Sequence, residues 1–132
     1  MTSPRILIVD DDPSIRALLA EIVRREGATP IVAASGVEGY AALTASASPI
    51  AVILLDLSMP EMDGFRFREL QLEDPDLAQV PIIVLTGYDL AAAELAFMRP
   101  HDVLIKPVPL ARIRQAIRSA IHAAPAVERE CR

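Results

Sequence analysis

Ile50-Ala51-Val52-Ile53-Leu54-Leu55-Asp56 is a run of six apolar residues stopped by an aspartate. It does not alternate with polar residues, so it suits a strand covered on both faces, as in a parallel sheet. Three other short apolar runs also end at a polar residue. Arg5-Ile6-Leu7-Ile8-Val9 meets Asp10-Asp11-Asp12, Pro81-Ile82-Ile83-Val84-Leu85 meets Thr86, and Asp102-Val103-Leu104-Ile105 meets Lys106. Pro30-Ile31-Val32-Ala33 is a weaker fifth strand.

Helical patterns fill the gaps. Pro13 suits a first turn, and Ile15, Leu18, Leu19, Ile22 and Val23 follow on one stripe until Gly27 stops it. Ser35 can cap a second helix through Tyr40 and Leu43. A third begins near Asp63-Gly64 with Phe65, Phe67 and Leu70, and a fourth covers Leu90 to Met98. Leu110, Ile113, Ile117 and Ile121 mark the last, with Arg112, Arg114 and Arg118 off that stripe. Five strand-helix units predict an open α/β sheet with right-handed crossovers.

The 132 residues predict one domain, taken as 1–124 with a short tail at 125–132. Hydrophobic residues are 52% and the net charge is −5, which disfavours wholesale disorder and a nucleic-acid footprint. The single Cys131 excludes an internal disulfide framework. Apolar runs are too short to span a bilayer, and no signal-peptide pattern opens the chain. The expectation is a soluble cytoplasmic protein with no membrane partner.

The polar residues that end the strands carry the chemistry. The carboxyl ends of parallel strands share one sheet edge, where a site can form at the switch in strand order. Asp10, Asp11, Asp56, Thr86 and Lys106 should converge there. One acid at a strand end is ordinary helix capping; five suited residues at four strand ends are not. Clustered carboxylates repel unless a cation neutralises them, and an all-oxygen site suits Mg²⁺. A lysine beside them points to an incoming phosphoryl group, for which a carboxylate can be the nucleophile.

These residues, with Asp56-Leu57-Ser58-Met59-Pro60-Glu61-Met62-Asp63-Gly64 and Lys106-Pro107, resemble the receiver domain of two-component response regulators. The resemblance covers about residues 5 to 121. It implies a flavodoxin-like five-stranded parallel sheet, order 2-1-3-4-5, with helices on both faces. It implies that Asp56 is the phosphoacceptor, with Thr86 and Lys106 on the phosphoryl oxygens. Asp10, Asp11, Asp56 and the Ser58 carbonyl would hold Mg²⁺, and Asp12 would matter less. Lys106-Pro107 resembles the family's cis peptide. The implied donor is a sensor histidine kinase or histidine phosphotransfer protein, and the output is contact with an unidentified downstream protein. Homodimer formation is left open. Self-dephosphorylation is compatible with this chemistry, but conventional enzymatic turnover is not implied.

Several positions depart from the family pattern. Val103 stands where the family usually has Tyr or Phe, and valine has no ring to swing. Tyr88 is either a substitute or a solvent-exposed tyrosine. The segment between Thr86 and Lys106 is short, and Arg99-Pro100 predicts a short, displaced or partly unwound fourth helix with unusual or constitutive output. Pro30 predicts an edge strand, and Gly39 costs helix propensity unless packing needs its small size. His101 and His122 read as ordinary surface residues. The three arginines form either a solvated face or a surface for an acidic partner.

Other functional readings are a phosphorylation-independent scaffold with this fold and the receiver part of a larger hybrid kinase. A flavin carrier is disfavoured because Asp10-Asp11-Asp12 would repel a flavin phosphate. A phosphohydrolase lacks an evident cap domain.

Overall fold

The computed structural model describes residues 3–45, 49–57 and 63–124. In chain order its elements are β1 (Arg5–Val9), α1 (Pro13–Arg25), β2 (Thr29–Ala33), α2 (Gly36–Ala45) and β3 (Val52–Asp56). Then come α3 (Asp63–Glu73), β4 (Ile82–Thr86), α4 (Ala92–Met98), β5 (Asp102–Ile105) and α5 (Leu110–Ala123). All strand pairs are parallel, in the order β2-β1-β3-β4-β5. The expected fold is therefore the observed one. The tail expected from residue 125 lies outside the described residues. Among those described, no helix is long and apolar enough to cross a membrane.

The unbroken apolar runs follow from burial on both sheet faces. Ile6, Ile8, Val52, Leu54, Ile83 and Leu85 face a core shared with α1 and α5. Their neighbours Leu7, Val9, Ile53, Leu55, Ile82 and Val84 face a second core with Leu43 of α2, Phe67 of α3 and Met98 of α4. Burying each such side chain stabilises by about 1.5–3 kcal/mol before entropy is counted. The edge strands differ: Val32 of β2 is 52% exposed and Ile105 of β5 45%. Pro30 lies on edge strand β2, where a missing N–H is tolerated, as expected.

Local chemistry fixes the helix ends. The Asp12 carboxylate accepts the Ser14 and Ile15 amides at 2.8 and 3.3 Å, and Pro13 needs no partner in the first turn. Gly27 closes α1 with φ of +82°, a conformation that favours glycine. In α2, Ser35 Oγ accepts the Glu38 amide at 3.1 Å, while Glu38 accepts the Ala34 amide at 3.0 Å. This is a reciprocal cap close to the S-x-x-E type. A Cβ on Gly39 would lie 2.8 Å from Val9 Cγ2 and 3.2 Å from Phe67 Cε2. Packing, not propensity, selects glycine there.

Two stripe assignments need correction, and α3 adds an unexpected inward face. Leu18 and Leu110 lie on the expected apolar stripes of α1 and α5 but are 53% and 54% exposed. The small residues Ala20, Ala116 and Ala120 share the buried faces with the larger apolar residues. On α3, Phe65 and Leu70 are only half buried, and the inward positions after Phe67 are Arg68 and Gln71. Helix α4 starts at Ala92 rather than Leu90 and has seven residues, matching the expectation of a short helix.

Candidate functional site

The sheet ladder carries the site residues to one edge. The Asp10 amide donates to the Ala33 carbonyl at 3.1 Å, and the Leu57 amide to the Leu85 carbonyl at 2.8 Å. The Lys106 amide donates to the Thr86 carbonyl at 2.8 Å. Each bond extends strand pairing to the strand ends, so Asp10, Asp56, Thr86 and Lys106 align without help from their side chains.

The carboxylates of Asp10, Asp11 and Asp56 each offer an oxygen within 4.8 Å of the others. Asp10 and Asp56 are buried, at 1% and 3% exposure, while Asp11 is exposed. Asp10 Oδ1 accepts the Asp12 amide at 2.9 Å, but buried Oδ2 has no hydrogen-bond partner. Burial pushes the Asp10 carboxyl up to about 6. The Asp12 amide opposes the shift, the Asp56 charge adds to it, Lys106 opposes it and Asp11 adds to it.

A buried carboxylate with an orphaned oxygen, clustered with two more carboxylates, is the donor set of a hard divalent cation. The residues therefore fit Mg²⁺. The Ser58 carbonyl, the remaining expected ligand, lies outside the described residues.

Lys106 Nζ donates to Asp56 Oδ1 at 3.2 Å, joining the ends of β5 and β3. Lys106-Pro107 is cis, as the sequence suggested. Thr86 is fully buried at the end of β4, but its hydroxyl is engaged locally. It donates to the Tyr88 carbonyl at 3.1 Å and accepts the Tyr88 amide at 3.2 Å. Four expected side chains thus form one cluster, and the fifth stands on the same edge with its hydroxyl held by the following turn.

Arg16 is an addition to the expected set. Its Nη1 donates to the Asp10 carbonyl at 2.8 Å and ties α1 to the acidic loop. The clue was spacing: Arg16 lies one turn after the Asp12 cap, on the helix leaving the acids. Gly64 is another supporting residue. A Cβ there would lie 2.6 Å from Leu57 Cδ2 and 3.3 Å from the Asp56 carbonyl, so glycine lets α3 start against the end of β3.

The departures are visible as well. Val103 pairs with Val84 on β5 and is half buried. Tyr88 is 44% exposed. Partial burial and then the Glu94 carboxylate beside it raise its phenol pKa. Tyr88 is therefore a surface tyrosine rather than an inward-turned substitute. The arginine group is satisfied within the chain. Arg112 binds Asp102 through two bonds of 2.8 and 2.6 Å, and Arg114 and Arg118 grip Glu26 at 2.9 and 2.5 Å. His101 Nε2 meets Ser119 Oγ at 2.9 Å on the surface.

The sequence model of the response regulator receiver domain matches residues 6–118. A 14.6 kDa protein encoded near sodA1 in Leptolyngbya boryana is 39% identical over 112 residues, 83% of this chain and 84% of that protein. The transcriptional regulatory protein GlrR of Escherichia coli is 34% identical over 131 residues. That match covers 96% of this chain but 28% of GlrR. The transcriptional regulator RpaA of Synechocystis is 34% identical over 87% of this chain, which spans 49% of RpaA. The structure is similar to chemotaxis protein CheY4 of Vibrio cholerae, with a TM-score of 0.81 and 25% identity over 90% of this chain and 99% of that one. A Clostridium thermocellum receiver domain gives 0.76 and 30% over 90% and 94%. The chain belongs to the response regulator receiver domain family.

Proposed function

We propose that the chain accepts a phosphoryl group on Asp56 from a phosphohistidine of a sensor kinase or phosphotransfer protein and signals by protein contact. An Asp56 carboxylate oxygen attacks phosphorus as the P–N bond to the donor breaks. The bond pair returns to the donor imidazole, and the product is an aspartyl phosphate. Lys106, already 3.2 Å from Asp56, contacts the transferred oxygens and offsets their charge. Thr86 supplies a hydroxyl once the Tyr88 turn releases it. Asp10, Asp11 and Asp56, with the Ser58 carbonyl, would hold Mg²⁺. When bound, the ion neutralises charge on the carboxylates and the phosphoryl oxygens. We place this exchange in the cytoplasm.

The observation that carries this reading is the buried Asp56 held by Lys106 beside the unpartnered Asp10 oxygen. Incubation with Mg²⁺ and acetyl phosphate should give one phosphoryl adduct by intact mass, absent without Mg²⁺ and absent in Asp56→Ala. Failure to form it with either acetyl phosphate or phosphoramidate, or its persistence in Asp56→Ala, contradicts the reading.

A further inference from the structure

The two ends of α4 are held very differently. At its C-terminal end Arg68, only 4% exposed, reaches across from α3. Its Nε donates to the Met98 carbonyl at 2.8 Å and its Nη2 to the Arg99 carbonyl at 3.3 Å. Nη1 donates to Gln71 Oε1 at 2.6 Å. Gln71, itself fully buried, donates from Nε2 to the Leu77 and Val80 carbonyls at 2.8 and 3.1 Å. One buried network therefore joins α3, the loop before β4 and the exit of α4. Burial first, and then the Arg99 charge, lower the Arg68 pKa to about 10, so it stays cationic at neutral pH.

The backbone at this exit needs holding. Arg99 is left-handed at φ 42°, an unfavourable place for a side-chain-bearing residue, and Pro100 follows without an N–H. Donors on the Met98 and Arg99 carbonyls fix the turn where a longer helix would continue. Met98 is fully buried beneath it, and the His101 amide donates to the Ile82 carbonyl at 2.8 Å.

The other end is held by contacts near the surface. Ala91, Ala92 and Ala93 are exposed, and Leu90 is only half buried. Glu94 accepts the Ala91 amide at 2.8 Å on the exposed side. The preceding turn is tied to the acidic site through Thr86, whose hydroxyl holds both polar backbone groups of Tyr88. If that hydroxyl turns to a phosphoryl oxygen, the Tyr88 carbonyl loses its donor and the turn is free to rearrange.

We propose that α4 is a lever pinned at its C-terminal end by Arg68. Loading Asp56 moves residues 87–95 while 98–102 stay fixed. This rests on the phosphoacceptor reading for its trigger, but the pin itself belongs to the unmodified protein. It gives a chain with Val103 on β5 a way to signal that needs no swinging ring. Buried polar networks of this kind favour one arrangement because breaking them strands several groups at once.

The test combines amide exchange with NMR of the Arg68 Nε–H, on protein with and without Mg²⁺ and acetyl phosphate. Intact mass measures the adduct in the same samples. In wild type, the Nε–H should exchange slowly in both states. Exchange should change at least fivefold at 87–95 on loading and less than twofold at Arg99 and His101. In unloaded Arg68→Met, Arg99 and His101 should exchange at least tenfold faster. A change in loaded wild type that spreads equally through Arg99 and His101 overturns the proposal. So does a rapidly exchanging Nε–H, a reading that needs no variant to fold. Absence of any adduct overturns the trigger together with the phosphoacceptor reading, whereas unchanged protection in folded Arg68→Met overturns the pin alone.

Discussion

Asp10 shows how one side chain sets the character of the site. Its buried oxygen has no partner, and its raised pKa reflects a charge held away from water. Replacing it with Asn removes that charge and keeps an acceptor for the Asp12 amide. Metal-free Asp10→Asn is expected to be more stable than wild type at pH 7, by on the order of 1–3 kcal/mol. Mg²⁺ should raise the Tm of wild type, and the variant should lose that rise. Denaturant and thermal melts with and without Mg²⁺ check both; an Asp10→Asn variant still stabilised by Mg²⁺ would remove Asp10 from the ligand set. Lys106 acts from the other side. Lys106→Met should slow phosphoryl transfer from acetyl phosphate about 10²-fold while leaving the fold intact, as time-resolved mass would show. The residues of this edge were readable because strand ends converge in a parallel sheet. The Thr86 hydroxyl was not, because its present partners belong to a turn whose shape no periodicity specifies.

At the scale of elements, patterns located the strands and helices, while tertiary contacts decided their details. Gly39 illustrates the limit of propensity. Glycine weakens an exposed helix by about 1 kcal/mol relative to alanine. Here Val9 and Phe67 occupy the space that a Cβ would need. Overpacking costs about 1–3 kcal/mol, so Gly39→Ala should be neutral to destabilising by about 2 kcal/mol in chemical denaturation. A clear gain in stability would show that α2 can shift away from β1. The full inward side of α3 was not legible for a related reason. Phe65, Phe67 and Leu70 marked the helix, yet Arg68 and Gln71 are buried because carbonyls beyond the helix meet them. The two backbone carbonyls that accept from Arg68 lie some thirty residues away, beyond any local pattern. The short α4, by contrast, was legible, because Pro100 limits the helix by its own covalent geometry.

For the whole molecule, two sheet faces carry the fold and one sheet edge gathers the residues proposed to carry the chemistry. The layers are fastened at the surface by Glu26 between Arg114 and Arg118, and by Asp102 with Arg112. Hydrogen bonds from these arginines hold both carboxyls below their usual pKa values, with the arginine charges reinforcing the effect. Folded-state pKa values below the unfolded ones mean that this stabilisation is full above the ordinary carboxylate range. It is lost as pH falls through the lowered values. Denaturation at pH 6 and pH 3 should therefore show acid destabilisation that shrinks in Glu26→Gln; an unchanged pH response would deny Glu26 that role. The arrangement as a whole was legible from the five apolar runs and their polar ends. The internal use of the three arginines was not, since their partners lie at the C-terminal cap of α1 and on β5. The most direct measurement of the central claim is the position of the phosphoryl group. After loading with Mg²⁺ and acetyl phosphate, borohydride reduction and peptide mass mapping should convert residue 56, and no other aspartate, to homoserine. Homoserine at Asp10 or Asp11, or none at Asp56 in a sample that carries the adduct, would contradict the account.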